Sequence, residues 1–167
     1  ETPIAATAGI LKPVILLILT LTLAVPGICA QNKQKHGDLD PLRPADTSSP
    51  RDTLHSFLAD TTQFIEDSRR GTRNDKTYRA FRRAIQTLDF SATPEGNTWF
   101  VRNRRIALLQ ELLARIELPP DKDIPGDSEV ADDTITEWTI PNTSITIAKI
   151  TKGPRSGQFL FSADTIQ

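Results

Sequence analysis

His36 and His55 are the only histidines in the 167 residues, and neither stands at a spacing that could hold a metal or activate a nucleophile. A His-Glu-x-x-His helix works because its two imidazoles lie one turn apart and aim at a single point. No Cys, Asp or Glu pair gives either histidine here an equivalent. Ser49, Ser56 and Ser91 lack the Gly-x-Ser-x-Gly strand-turn-helix setting that exposes a reactive hydroxyl, and are expected to be helix caps or surface hydroxyls. The carboxylates Asp121, Asp123, Asp127, Glu129, Asp132 and Asp133 are dense enough to suggest calcium, but their spacing is not that of an EF-hand loop. A solvated acidic linker is the expected reading. Gly153-Pro154-Arg155-Ser156-Gly157 could resemble a phosphate cradle, yet no helix is expected to begin there and the Gly-x-x-x-x-Gly-Lys pattern is missing. A tight strand connection accounts for it. No catalytic, cofactor-binding or metal-ligating residue is assigned, no cofactor is expected, and the chain reads as non-enzymatic.

A basic segment, Arg69, Arg70, Arg73, Lys76, Arg79, Arg82 and Arg83, has two readings. The simpler is a solvated helix face. The other is contact with anionic lipid headgroups, where each basic residue near the surface contributes about 1 kcal/mol. The whole chain carries a net charge of only -1 at pH 7, which argues against a dedicated nucleic-acid binder.

The N-terminus reads as an export signal. Lys12 precedes an apolar run from Val14 to Val25, and Pro26-Gly27 then break any helix. The run is about a dozen residues, short of the roughly 20 that cross a bilayer. Ile28-Cys29-Ala30 offers a cleavage site, so a signal peptide over 1–30 is expected, cut after Ala30. An uncleaved signal anchor and a lipoprotein acylated at Cys29 are the alternatives, the latter opposed by Ile28 where a small residue is wanted. Cys29 is the only cysteine, so a chain cut after Ala30 can form no disulfide and must be held by packing. The chain starts at Glu1 and contains no Met, which predicts a fragment of a longer reading frame.

Residues 31–48 are polar and interrupted by Gly37, Pro41 and Pro44, and read as a linker. A helix is predicted from Pro50 to about Arg69. Ser49 is placed to cap it, Pro50 suits its first position and Asp52 complements its dipole. Leu54, Phe57, Leu58, Thr61 and Ile65, with Phe64 beside them, give it an apolar stripe. Asn74-Asp75 can cap a second helix ending near Asp89, with Tyr78, Phe81, Ile85 and Leu88 as its stripe. After a turn over 91–97, a third helix is predicted over Thr98 to Leu118, with Ile106, Leu109, Leu112, Leu113 and Ile116 inward. None of the three would be stable alone at this length, so they should share a core as antiparallel neighbours, a helical subdomain over 49–120.

Pro119-Pro120 ends the third helix, and 121–133 reads as an acidic connector. The period then changes from 3.6 to 2. Ile135 to Ile140 and Ile145 to Ile150 alternate as strands around a Pro141-Asn142-Thr143 turn, and Gln158 to Ser162 gives a third. The fold class expected is α+β: three antiparallel helices followed by an antiparallel three-stranded β meander over 134–167. So small a sheet needs a cover, either these helices or a further C-terminal segment.

Two stretches resemble a known family. Pro41-Leu42, Asp46-Thr47-Ser48-Ser49-Pro50-Arg51-Asp52-Thr53-Leu54 and Phe57-Leu58 form the first. The second comprises Arg115-Ile116-Glu117-Leu118-Pro119-Pro120, Ile124-Pro125, Trp138-Thr139-Ile140-Pro141-Asn142-Thr143, Ile145-Thr146-Ile147 and Gly153 through Ser162. Both are similar to the N-terminal extracytoplasmic region of small-conductance (MscS-type) mechanosensitive ion channels, while Gly71 to Arg104 is matched only in helical character. The resemblance implies a multi-pass bacterial inner-membrane protein with this region on the periplasmic side. It also implies membrane lipid as a partner through transmembrane segments beyond this chain, and a homo-oligomeric ring whose pore opens under tension to pass ions and small osmolytes. No pore residue has a counterpart here. The alternative is a free periplasmic binding or adaptor module; a periplasmic hydrolase has no residues to support it.

Overall fold

The Ser49 hydroxyl accepts from the Asp52 amide at 3.2 Å and starts the first helix, where it answers one of the free N–H groups of the first turn. The computed structural model describes residues 43–93 and 98–167; the expected signal peptide, His36, most of the 31–48 linker and residues 94–97 lie outside the described residues. The described residues belong to one unit, Asp38–Gln167. Helix α1 spans Pro50–Arg69, α2 Asp75–Gln86 and α3 Thr98–Leu113. A 3-10 turn at Asp121–Asp123 and a one-turn helix α4 at Asp127–Val130 follow. Strands β1 (Glu137–Thr139), β2 (Thr146–Lys149) and β3 (Phe159–Phe161) form an antiparallel meander in that order. The α+β class is as expected, with α4 in addition.

One core joins helices and sheet. Leu54 and Phe57 of α1, Phe81 and Ala84 of α2, and Ile106, Leu109 and Leu113 of α3 cluster with Ile147, Phe159 and Phe161 of the sheet. Phe159 and Phe161 share a face because side chains alternate along a strand, and Phe57 meets Phe161 edge-on at 5.2 Å between centroids. Burying a side chain such as Phe57, which has no exposed surface, contributes about 2–3 kcal/mol. The helices themselves therefore cover the sheet.

The free edge of β3 is also closed. The Phe159 amide donates to the Thr47 carbonyl, the Phe161 amide to the Thr87 carbonyl, and the Asp89 amide to the Phe161 carbonyl. The chain before α1 and the chain after α2 thus occupy an edge that would otherwise invite pairing with another molecule. Thr53, inside α1 and fully buried, donates its hydroxyl to the Phe159 carbonyl at 2.7 Å.

Several expected boundaries and faces change. Helix α2 stops at Gln86, not near Asp89, because Leu88 bridges to Phe161. Its inward residues are Thr77, Ala80, Phe81 and Ala84, while Tyr78, expected inside, is 53% exposed. Ala80 and Ala84 are small enough for α2 to lie close against α1, and Thr77 donates to the buried Asp67 of α1 at 3.0 Å. Helix α3 ends at Leu113, short of Leu118, and Leu112 is 54% exposed instead of inward.

The acidic stretch 121–133 is ordered, with Ile124 and Val130 buried in the common core. Arg51 fixes it from α1, donating from Nε to the Ile124 carbonyl at 2.9 Å. Polar residues 45–47, read as linker, are tied down too: the Ala45 amide donates to the Gln86 side chain and the Asp46 amide to Ser56. Among the described residues no helix is long and apolar enough to cross a membrane.

Candidate functional site

Three helices of unequal bulk cannot close completely on one another, and α1, α2 and α3 leave a groove of about 610 Å³ between them. Its floor is an aromatic ladder. Phe64 of α1 and Phe81 of α2 have ring centroids 4.9 Å apart, and Phe81 meets Trp99 of α3 edge-on at 5.2 Å. Ile65, Tyr78 and Ile106 extend the apolar wall, and Arg73, Asn103, Gln110 and Glu111 are among its polar lining. Tyr78 is available for this wall because Ala80 and Ala84 take the contact with α1. Trp99 remains 61% exposed, so the groove opens to solvent along α3. Mostly apolar walls with a few polar groups suit an apolar or amphipathic occupant.

Of the residues singled out for possible chemistry, only Arg73 lines this groove. His55 pairs with Asp121 at 2.9 Å on the surface. Ser49 caps α1, the Ser56 hydroxyl accepts from the Asp46 amide, and the Ser91 amide donates to Asp89. Ser49 thus serves as a helix cap, and Ser56 holds the chain ahead of α1. Three more of the acidic residues have partners. Asp133 pairs with Lys149; Glu129 accepts from the Gly126 amide at 2.8 Å, and Asp132 accepts from the Thr134 hydroxyl at 2.8 Å. Those bonds hold both carboxyls below their ordinary values: Glu129 through the Gly126 amide and then the Ser128 hydroxyl, and Asp132 through the hydroxyl and amide of Thr134. Among the described residues no three His, Cys, Asp or Glu side chains gather as a metal would require.

The 153–157 segment is a tight connection between β2 and β3, with Gly153 and Gly157 at φ of 84° and 90°, where a Cβ would be strained. Its Arg155 clamps the end of α2, donating to the carbonyls of Gln86 and Leu88 and to the Gln158 side chain at 2.9 Å. Burial lowers the Arg155 pKa from its ordinary value, opposed by nearby Asp89; the guanidinium stays charged. The basic segment is not one uniform face. Arg69, Arg73 and Arg82 are exposed, but Arg83 turns inward to grip Asp60 of α1 with Nε and Nη2, at 2.9 and 2.6 Å to Oδ1.

Sequence reasoning missed the groove because it joins residues of three helices, none of them in a recognisable motif. The available signal was Trp99-Phe100, standing ahead of the α3 stripe with no assigned neighbour. Comparison of the chain with protein-family models, with curated proteins and with solved structures found no match. The fold and groove define a small α+β module built on one core, whose geometry suits binding and packing.

Proposed function

We propose that this chain is the extracytoplasmic domain of a small-conductance (MscS-type) mechanosensitive channel, standing on the periplasmic side of a bacterial inner membrane. It is non-enzymatic and acts on gating by packing against the membrane portion or neighbouring subunits of a homo-oligomeric ring. The pore, which opens under tension and passes ions or small osmolytes, belongs to segments beyond these residues. One observation carries this reading. The two stretches that resemble the channel family lie far apart in sequence but meet in space: Thr47 and Thr53 from the first hold both backbone groups of Phe159 from the second.

Patch-clamp recording of the protein encoded by the whole reading frame, in spheroplasts, is the test. Tension-activated current that changes on deleting residues 43–167 is expected; absence of any such current overturns the proposal.

The groove favours a second reading, a free periplasmic binding or adaptor module. The two separate on the coding DNA after Gln167: apolar runs of about 20 residues support the channel, and an immediate stop codon supports the free module. In the latter case a solvatochromic apolar dye should bind, with Tyr78→Ala and Ile65→Ser weakening it.

A further inference from the structure

Helix α3 has a face that faces neither the core nor the groove. Ile106, Leu109 and Leu113 point into the core, whereas Phe100, Arg104, Leu108 and Leu112 follow each other at four-residue intervals and so form one row along the helix surface. Phe100 is 64% exposed, Leu108 43% and Leu112 54%. Large apolar side chains at such exposure along one row are not accidental singletons; contiguous patches of this kind mark contact surfaces. Trp99, seven residues before Ile106, lies on the groove side of the helix and takes no part in this row. Arg104 and Arg105 stand in or beside the row and have no ion-pair partner among the described residues, and the neighbouring acid, Glu111, is already paired with Arg115.

We propose that this face of α3 docks on the surface of an anionic bilayer, with Phe100, Leu108 and Leu112 entering the headgroup and acyl boundary and Arg104 and Arg105 on lipid phosphates. The charge pattern selects this occupant. Arginine can lay its aliphatic stem on apolar surface while its head reaches an anion, so an apolar row interrupted by arginine can sit at the boundary between headgroups and acyl chains. A second copy of the same face fits poorly: pairing two such rows would bring four arginines together with no unpaired carboxylate to answer them. A small soluble ligand fits poorly too, since the row is convex. The inference rests on this surface alone and holds whether or not the chain feeds a pore.

The test uses the full chain carrying Trp99→Phe, Trp138→Phe and Leu112→Trp, which places its sole indole in the row. Vesicles of phosphatidylglycerol and phosphatidylcholine are titrated at low salt, and the indole emission is followed. A blue shift is expected, with quenching by brominated acyl chains and reversal at high salt. Arg104→Gln with Arg105→Gln should weaken the partitioning about thirty-fold. Phe100→Ser with Leu108→Ser should abolish the shift while the far-ultraviolet circular dichroism is unchanged. Four results overturn the proposal: no shift; an equal shift with pure phosphatidylcholine; a shift that needs only higher protein concentration, which would assign the face to a second copy; or vesicle binding with the indole unmoved, which would assign binding to the Val14 to Val25 run.

Discussion

Replacing Thr53 by Val removes one hydroxyl and almost nothing else. The two side chains have nearly the same shape, and both are β-branched with similar helix propensity. Thr53 is fully buried, and its hydroxyl lies 2.7 Å from the Phe159 carbonyl and 2.9 Å from that of Ser49. The Ser49 carbonyl retains the Thr53 amide at 3.0 Å, so it is not stranded. The Phe159 carbonyl loses its link to α1 at a site closed to water. A buried acceptor deprived of its donor costs about 1–3 kcal/mol, and we take about 2 kcal/mol for Thr53→Val. For a domain of this size that is about 6–10 °C in Tm.

Urea unfolding followed by Trp138 fluorescence measures it directly. The midpoint should fall with an unchanged denaturant slope, because the surface exposed on unfolding is the same. Thr53→Ser restores the donor and should recover about half the loss, the remainder being the missing methyl. A Thr53→Val protein within about 0.5 kcal/mol of the wild type, or a Ser variant no better than Val, refutes the reasoning that this bond ties helix to sheet.

Gly126→Ala would set a Cβ 2.6 Å from Nη1 and 2.8 Å from Cζ of Arg51, pushing the guanidinium off the Ile124 carbonyl. A loss of about 1–2 kcal/mol is expected, and the same substitution in an Arg51→Ala background should cost less, as a double-mutant cycle would show. Leu113→Ala should destabilise by about 2–5 kcal/mol, whereas Leu112→Ser should stay within about 0.5 kcal/mol in vesicle-free buffer; thermal melts distinguish the two adjacent leucines. Glu129 is held below its ordinary value of 4.5, so as pH falls the unfolded chain takes up that proton first. Its contribution is present above about pH 4.5 and lost as the pH drops through the folded value. Glu129→Gln should remove that part of the acid dependence in a pH series of urea midpoints. Arg155→Ala should cost about 2 kcal/mol by taking a charged donor from the end of α2, with Arg155→Lys intermediate because one ammonium cannot reach both carbonyls.

Local chemistry made much of the fold legible in the sequence. Ser49-Pro50 and Asn74-Asp75 place helix starts because a cap depends only on residues within one turn, and the β-branched alternation around Pro141-Asn142-Thr143 fixes a hairpin for the same reason. Core positions on α1, Leu54, Phe57 and Thr61, followed from a 3.6-residue period that leaves one choice of face. On α3 the apolar residues surround more of the helix, so the period could not choose, whereas on α2 it found Phe81 but not that Tyr78 would stay outside. Small Ala80 and Ala84 turned α2 toward α1 and left Tyr78 in the groove, and Leu112 faced outward in the same way. Acidic composition could not show that Ile124 and Val130 would anchor residues 121–133, since two apolar residues make no periodic pattern. The groove, the closing of the β3 edge by Thr47 and Thr87–Asp89, and the Arg83–Asp60 pair join residues distant in sequence. The sequence alone determined the three long helices, the three strands and their order, because those depend on neighbours along the chain. Which faces meet, and what is left open between them, depends on side-chain volumes brought together from separate helices, and only the tertiary structure decided that.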